Sequence, residues 1–454
     1  MRFRTTLILA LVLTLGILGV VYMNKKDKSG QDAKTANEKI ISYSGDEITA
    51  ISIWPAGIQA RRDSSGWMLQ QPLQIRGDKE SWNAIAAMFS WAKKERSVST
   101  DAADYPSFGL LPPRALLVLE SKGRSDTLYI GDDAAIGSLV YARRAGNPEV
   151  FLGTSSLWTN VHKSLFDLRD KAVLEFDQNR IAALAIKSGK EMFNLSKEGS
   201  DWKITSPGAW LADRSKIASL LSALQYQKAK RFVEENPREL RRYGLDQPLY
   251  QYTLRHTSTG DPLTLAIGRE EGGEYYARDA SRPALFTVDS SFVNSLKVNL
   301  TALRDKQLLH FAASAADGLE LTVGDTTFVC HKDTSGNWSL SQPLSRPLRS
   351  WKISGLLGDL QSAAAEGFVS EKPAPLKPFG LERPRIRCRI TQQGALLGEL
   401  LLGREKDAAT LYAKTGAAPA VYIVKSTLFE KMNVKSSDLI ESTPVPSGGN
   451  YVPQ

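Results

Sequence analysis

The chain has few of the side chains that most often carry chemistry. Its 454 residues include two cysteines, four histidines and six methionines. Cys330 and Cys388 lie outside any CxxC or Cys/His spacing, and no two histidines form a His-x-x-x-His pair, so the sequence offers no recognisable zinc site. It also lacks an HExxH pattern, a Gly-x-Ser-x-Gly elbow and a Gly-Lys-Ser/Thr phosphate loop. These absences argue against the familiar metallopeptidase, serine hydrolase and P-loop classes, and we predict no catalytic residue, cofactor or metal.

A concentrated basic block is also missing. The net charge is +9, but residues 1–30 contribute +4 of it through five Lys/Arg and one Asp. The remaining 424 residues carry +5 and contain no Lys/Arg run interleaved with aromatic residues. The sequence therefore gives no support for nucleic-acid binding and indicates a mildly basic, solvated surface.

The chain does contain one pattern three times, at offsets of 135 to 137 residues. Each copy has a Trp, an aromatic-Gly-Leu-x-x-Pro run, an apolar-Gly step and a Tyr-Ala-Arg/Lys triplet. The markers are Trp67, Phe108-Gly109-Leu110, Ile130-Gly131 and Tyr141-Ala142-Arg143; Trp202, Tyr243-Gly244-Leu245, Ile267-Gly268 and Tyr276-Ala277-Arg278; and Trp338, Phe379-Gly380-Leu381, Leu402-Gly403 and Tyr412-Ala413-Lys414. Self-similarity at a fixed period predicts tandem structural units. Because most recurring residues are fold-forming types, we interpret Trp67, Trp202 and Trp338 as equivalent core residues.

Each copy predicts the same order of elements. Alternating apolar residues such as Ile51 and Ile53 open the first copy with the period-two spacing of a strand. A turn leads to the Trp strand, and a helix follows, capped by Asp78 in the first copy and Asp213 in the second, with Arg349 at the matched position of the third. Further strands and a closing helix over residues 155–168 complete the first copy. The sequence therefore predicts an α+β class: three tandem repeats of mainly antiparallel sheet with two helical segments each, after one N-terminal transmembrane helix.

The N-terminus supplies that predicted membrane helix. Residues 5–23 carry no charge, and as a helix they would extend about 28 Å, close to the ~30 Å hydrocarbon core. We predict a transmembrane signal-anchor over residues 1–23, with a cleaved signal peptide as the alternative. The flanking basic residues are nearly balanced between the two ends, so orientation is taken from the short N-terminal stub, which favours an extracytoplasmic location for the rest.

The domain boundaries follow from the repeats and from local composition. We expect a flexible linker at residues 24–38, repeats at 39–172, 173–308 and 309–441, and a disordered Pro/Gly-rich tail at 442–454. Both cysteines fall in the third repeat, where the second has Asn194 and Tyr252 at matched positions. The fold therefore does not require sulfur there, and we favour two buried thiols over a disulfide, which an oxidising compartment would allow.

In order and spacing, these motifs resemble a bacterial family known as domain of unknown function 4340. The resemblance is best in the second copy, at Trp202, Tyr243-Gly244-Leu245 and Tyr276-Ala277-Arg278, and the three copies together cover about residues 39–441. It implies an N-terminally anchored envelope protein, associated in many bacteria with an ABC-type transport system of the gliding-motility kind. The family supplies no catalytic residues that could be assigned to this chain.

Two recurring polar features are candidate functional residues. The first is the basic residue after Tyr-Ala: Arg143, Arg278 and Lys414. Because residues two apart in a strand share a face, each cation is expected beside its Tyr. Either it is a solvent-facing residue stacked on that Tyr, or the three form a row that contacts an anionic polymer or a partner protein.

The second feature is a charged motif at the junctions between repeats. Leu168-Arg169-Asp170-Lys171 recurs as Leu303-Arg304-Asp305-Lys306, whereas the third copy ends in Leu439-Ile440-Glu441-Ser442. The motif is present where another repeat follows and is lost where none does. This pattern favours an inter-repeat joint, because a ligand site would not explain the loss at the last repeat so simply.

Three functions are compatible with the sequence. The first is a non-enzymatic, membrane-anchored envelope protein that acts as a scaffold or accessory subunit of an ABC-type transport complex. In this hypothesis it is single-pass in the bacterial inner membrane, its repeats are periplasmic, and its partners are envelope or transporter proteins besides the membrane itself. The second is an envelope binding module for a glycan or another anionic polymer, and the third is a hydrolase with a site in one repeat.

Overall fold

A computed structural model describes residues 39–41, 44–135, 137–257, 260–371 and 375–441. The predicted signal-anchor, the linker before residue 39 and the predicted tail from residue 442 lie outside the described residues. Within them, no helix is long and apolar enough to cross a membrane.

The fold is three nine-stranded antiparallel sheets, one for each copy of the sequence pattern. The first sheet comprises β1 (Ala50–Trp54), β2 (Ile58–Asp63), β3 (Gly66–Gln71), β4 (Ile75–Arg76), β5 (Arg96–Ser99), β6 (Ala115–Ser121), β7 (Arg124–Asp133), β8 (Leu139–Arg144) and β9 (Val150–Thr154). The second comprises β10 (Ile181–Ser188), β11 (Glu191–Glu198), β12 (Asp201–Ser206), β13 (Trp210–Leu211), β14 (Arg231–Glu234), β15 (Tyr250–His256), β16 (Leu263–Glu271), β17 (Glu274–Asp279) and β18 (Leu285–Asp289). The third comprises β19 (Gly318–Val323), β20 (Thr326–Lys332), β21 (Trp338–Gln342), β22 (Arg346–Pro347), β23 (Gly367–Ser370), β24 (Ile386–Gln392), β25 (Ala395–Glu405), β26 (Thr410–Thr415) and β27 (Val421–Lys425).

Strand order is the same in every sheet. In the first it is β4-β3-β2-β1-β6-β7-β8-β9-β5, and the other two repeat this order with their own strands. Most neighbours are joined by short turns, which suits antiparallel pairing. The exception is the fifth strand of each sheet, which follows the long helix and pairs at the far edge, beside the ninth. Each repeat therefore presents one short, late-placed edge strand: β5, β14 or β23.

The helices are few and short. They are α1 (Lys79–Trp91), α2 (Ser156–Val161), α3 (Leu165–Leu168), α4 (Arg214–Tyr226), α5 (Ser290–Leu296), α6 (Leu300–Leu303), α7 (Ser350–Gln361), α8 (Ser426–Met432) and α9 (Ser436–Leu439). Single 3-10 turns lie at Gly45–Glu47, Ala102–Phe108, Gln178–Arg180, Leu240–Tyr243, Ala313–Ala315 and Lys377–Phe379. Asp78 caps α1 by accepting from the Ser81 backbone N–H at 2.8 Å, and Asp213 caps α4 in the same way through Lys216 at 2.9 Å.

The expected α+β class is wrong. Across the described residues 44% are strand and 23% helix, so the protein is mainly β. The error has two local causes. The two-residue strands and the largely exposed edge strand β5 show no alternation of apolar and polar residues, so local periodicity does not predict them. The single closing helix expected at 155–168 is instead two short helices, because Ser164 begins a new one with a capping box to Asp167.

Apolar residues are buried between each sheet and its long helix. In β6, strict alternation places every second side chain inside, with Leu117 and Leu119 fully buried. The motif tryptophans Trp67, Trp202 and Trp338 are all buried. In the first repeat the Trp67 ring stacks on Trp82 of α1 at 5.8 Å, which joins sheet and helix in one core.

The described residues divide into two compact units. One contains those up to Val173 together with Tyr226–Arg238 and Pro283–Asp289. The other contains Leu174–Gln225, Glu239–Arg282 and the described residues from Ser290 onward. The first unit thus holds the whole first sheet and the paired strands β14 and β18, and the second unit holds the whole third sheet.

Candidate functional site

The first junction motif places a buried arginine on the edge strand of the next repeat. Arg169 ends α3 in an extended conformation and is only 5% exposed. Its Nη1 and Nη2 donate to Glu235 Oε1 at 2.6 Å and Oε2 at 2.9 Å, a bidentate pair. Its guanidinium carbon lies 3.3 Å from the centre of the Phe232 ring on β14. The arginine is therefore held by a charge pair and by an aromatic face at once.

The second junction motif repeats this arrangement. Arg304 follows α6, is 6% exposed, and donates through both terminal nitrogens to the Glu371 carboxylate. Its guanidinium carbon lies 3.6 Å from the Phe368 ring centre on β23 and 4.7 Å from the Trp210 ring centre. The Trp210 indole N–H also donates to Glu371 Oε2 at 3.2 Å. We call each set of Arg, Phe and Glu a joint: Arg169, Phe232 and Glu235 form the first, and Arg304, Phe368 and Glu371 the second.

The aspartate that follows the arginine in each motif makes two hydrogen bonds to the backbone. The Asp170 backbone N–H donates to Arg76 O at 2.9 Å, and its carboxylate accepts from the Ala172 N–H at 2.9 Å. Asp305 makes the matched pair of bonds, to Leu211 O and from the Gln307 N–H, both at 2.9 Å.

The lysines of the motifs act mainly through backbone groups. The Lys171 ammonium donates to Phe166 O at 3.1 Å and Asp167 O at 2.9 Å, two backbone carbonyls within α3. Burial lowers its pKa, against the opposing effect of Asp78. The carbonyls of Lys171 and Lys306 each accept a backbone bond at 2.7 Å, from Ala229 and Ala365 respectively. These bonds attach the end of one repeat to the chain segment that precedes the edge strand of the next.

The joint residues are absent at both ends of the array. After the third sheet the matched backbone hydrogen bond is still present, because the Arg349 N–H donates to Leu439 O at 2.8 Å. The residue at the arginine position, however, is Ile440. Before the first sheet, the Lys39–Lys93 bridge matches the Ala172–Lys228 bridge of the first junction. In the sequence, Ala36 stands three residues before Lys39, as Arg169 stands three residues before Ala172.

The first repeat also lacks the Phe and the Glu that contact the arginine in the two joints. In the first repeat, Ser97 on β5 stands at the Phe position of the later repeats, and Thr100, the residue after β5, stands at the Glu position. The first repeat, with no arginine before it, thus lacks both acceptors. Sequence reasoning found the arginines but missed Phe232, Glu235, Phe368 and Glu371. Their replacement in the first copy was the signal that could have identified them.

The basic row is packed inside its own repeats. Arg143 lies on β8 with its guanidinium carbon 3.7 Å from the Tyr129 ring centre and 4.5 Å from that of Tyr105. Its Nε, like that of Arg278, is buried without a hydrogen-bond partner. Lys414 donates to the backbone carbonyls of Thr415 and Ala418 at 2.9 and 2.8 Å. All three side chains are half-buried, so they offer less cationic surface than an exposed row would.

The two cysteines are buried, free and apart. Cys330 on β20 pairs in register with Leu319, and Cys388 on β24 pairs with Leu321, so strand β19 lies between them. Burial raises the pKa of each thiol to about 12. Within the described ranges, no three His, Cys, Asp or Glu side chains are grouped as metal ligands.

Comparison with known proteins gives a family. The model of a family described as Domain of unknown function (DUF4340) matches the sequence three times, at residues 67–203, 202–350 and 338–447. The matches confirm the resemblance and the three tandem copies predicted from the sequence motifs. No curated protein matches the chain.

Proposed function

The chain belongs to the DUF4340 family in three tandem copies, and from this premise we propose that it is a non-enzymatic envelope scaffold. Residues 5–23 anchor it in the bacterial inner membrane, and the repeats lie in the periplasm. There they hold a protein partner, as an accessory subunit of an ABC-type transport complex. The anchor is supported by the uncharged 19-residue stretch, and the transport association by what the family resemblance implies.

The observation that carries the proposal is the repeated joint. A scaffold must keep its binding surfaces at fixed spacing, and this chain has a specific Arg-Phe-Glu contact at each of its two junctions. The arginine is replaced by Ile440 in the third copy of the junction motif, and the phenylalanine and glutamate are replaced by Ser97 and Thr100 in the first repeat. Their distribution follows the architecture of the array and gives no sign of a substrate site.

The energetics support a structural role for the arginines. Both are buried while their Glu partners remain partly exposed, so the pair is neither a fully buried nor a surface ion pair. Exposed pairs contribute about 0–1 kcal/mol, whereas removing one partner of a buried pair costs about 3–5 kcal/mol. Loss of a joint glutamate would leave a buried guanidinium without its counter-charge, so each joint is expected to resist opening.

The test is quantitative capture of partners by the full-length chain. Wild type, the double variant Arg169→Ala/Arg304→Ala and a control double variant Arg61→Ala/Lys203→Ala are purified from detergent-solubilised membranes, and co-purifying proteins are quantified. The control removes two exposed ion pairs, with Glu120 and Glu198. We expect the same specific partners with wild type and control, and weaker recovery with the joint variant. Equal recovery by all three, or no specific protein partner, would contradict the scaffold proposal.

A further inference from the structure

A cavity in the first repeat has the composition of a membrane-interface site. Its volume is about 530 Å³, and it lies among the turn after β1, the residue before β6 and the α2–α3 segment. Two tryptophans line it, Trp54 and Trp158, together with the basic side chains Arg114, His162 and Lys163. None of these five residues belongs to the joints or to the basic row.

Trp54 is the most informative residue of this cavity. It ends β1 and is 45% exposed, as Trp91 and Trp351 also are exposed, whereas the motif tryptophans are all buried. A tryptophan has an apolar body and a polar N–H, and it is enriched where one side of a site is apolar and the other wet, as at a membrane surface. Because Trp54 lines the cavity and is partly exposed, its indole offers a surface on which an apolar ligand group can pack.

Two basic residues of the lining pack against Trp158. The guanidinium carbon of Arg114 lies 3.6 Å from the Trp158 ring centre, and the His162 ring stacks on the same indole at 4.4 Å. Arg114 is also paired with Asp133 at 3.1 Å, outside the cavity lining. The one acidic residue in the lining, Asp167, already accepts from the Ser164 N–H and hydroxyl. The lining is therefore biased towards an anionic ligand.

The pair of tryptophans is confined to the repeat that follows the predicted anchor. The arginine on the helix aromatic recurs in the third repeat, where Arg385 lies 4.0 Å from the Phe429 ring centre and pairs with Glu405. In strand register, Trp54 corresponds to Lys187 and Thr322 of the later repeats. On the matched helix, Trp158 corresponds to Val293 and Phe429. Neither later repeat has two tryptophans at these positions.

The first repeat is also within reach of the membrane. Fifteen residues, 24–38, separate the predicted membrane helix from it. A flexible chain of that length spans on average about 20 Å and at most about 50 Å. Three lysines in this segment, Lys25, Lys26 and Lys28, add attraction to an anionic lipid surface.

From these observations we propose that the cavity binds the headgroup of an anionic phospholipid. The headgroup phosphate faces Arg114, His162 and Lys163, while the Trp54 indole packs against the glycerol and upper acyl region. The proposal rests on the anchor of the proposed function, which places the first repeat beside the membrane. Its effect is to dock that repeat on the bilayer.

The experiment measures lipid binding by the full chain in maltoside detergent. Dihexanoyl phosphatidylglycerol is titrated and intrinsic tryptophan fluorescence is followed, with dihexanoyl phosphatidylcholine and glycerol phosphate as comparison ligands. We expect phosphatidylglycerol to bind best, and Trp54→Ala and Lys163→Gln each to weaken its binding by about tenfold, the effect of losing one well-placed contact. The control variant is Trp351→Ala, which removes a 70% exposed tryptophan in the third repeat. Its binding should equal that of wild type.

Four outcomes overturn the proposal. Binding unchanged in Trp54→Ala means that the cavity is not the site, and equal binding of both lipids removes the charge selectivity. Equal binding of glycerol phosphate assigns the cavity to a small soluble anion. A galacturonic acid tetramer is titrated as a further comparison ligand. If it binds to wild type but not to Trp54→Ala, and neither lipid binds, the cavity is a glycan site. Since the assay needs neither membrane insertion nor a protein partner, its failure is distinct from failure of the scaffold function, and circular dichroism of each variant verifies folding.

Discussion

Arg169 and Glu235 form a two-bond ion pair between the end of the first repeat and the edge strand of the second, with N···O distances of 2.6 and 2.9 Å. The pair joins residues 66 positions apart in the sequence. The guanidinium carbon also lies 3.3 Å from the centre of the Phe232 ring, so the arginine is held by the carboxylate and by the aromatic ring together. A lysine could not reproduce this contact, since its ammonium lacks the planar fork.

The joints should limit motion between repeats. In the variant Arg169→Ala/Arg304→Ala each edge strand loses its buried partner, so we expect a larger radius of gyration by small-angle scattering and an unchanged circular dichroism spectrum. Arg61→Ala, which breaks only the exposed pair with Glu120, should match wild type. Unchanged scattering in the double variant would leave the joints without a role in fixing the repeats.

The sequence motif contains the arginine of each joint but not its Phe and Glu, for a physical reason. The arginine lies in a motif of four residues, so its loss at residue 440 is visible by comparing the copies. The phenylalanines lie 63 or 64 residues further on and the glutamates 66 or 67. The phenylalanines are in four-residue strands that are too short to show alternation, and each glutamate directly follows its strand. Contacts between residues that far apart depend on strand order. Local periodicity predicts single strands and does not predict that the fifth strand pairs with the ninth.

The motif tryptophans should stabilise their repeats. Trp202 is buried on β12, so Trp202→Ala leaves a cavity that the surrounding side chains fill only in part. We expect a loss of about 3–5 kcal/mol in the free energy of unfolding, measured by urea denaturation. The exposed Trp351, changed to Ala, is the control and should cost less than about 0.5 kcal/mol. A midpoint unchanged in Trp202→Ala would contradict the core assignment.

The core tryptophans were easier to predict than the fold class. Trp67, Trp202 and Trp338 recur in register within strands of clear pattern, and burial follows from their size and apolar surface. The class was mispredicted because helix propensity in residues 155–168 does not show where a helix breaks. Ser164 and Asp167 cap each other, and this local bond starts a new helix inside the stretch.

The cysteines should be inert in the folded protein. With a pKa of about 12, almost no thiolate is present at pH 8, and the thiolate is the form that reacts with alkylating reagents. We expect no labelling of Cys330 or Cys388 by iodoacetamide at pH 8 under native conditions and two labels per chain in denaturant, counted by mass spectrometry. Rapid native labelling of either thiol would contradict its burial.

The same pKa shifts give a direction for stability against pH. The folded state raises the pKa of each thiol above its ordinary value near 9, so folding favours the protonated form. This contribution is complete below pH 9 and is lost as the pH rises from 9 towards 12. The free energy of unfolding should therefore fall over this window more steeply in wild type than in Cys330→Ala/Cys388→Ala.

The membrane topology can be tested without the structure. The predicted signal-anchor at residues 5–23 should place everything after it outside the cytoplasm. An alkaline phosphatase fused after residue 441 should be active, because this enzyme matures only there, and a cytoplasmic reporter at the same site should be inactive. The reverse result would show that the orientation taken from the short N-terminal stub is wrong.

The basic row gives opposite predictions for packing and for partner contact. Arg143 lies against Tyr129 and Tyr105, so Arg143→Ala removes two cation–π contacts that are partly desolvated. We expect a loss of about 1–2 kcal/mol in the free energy of unfolding and no change in partner capture. If Arg143, Arg278 and Lys414 instead form a contact row, changing all three to Glu should weaken capture more than any single change, with little loss of stability. Full capture by a destabilised triple variant would show that these cations belong to the interior of their repeats, and unchanged stability with lost capture would make them the binding surface.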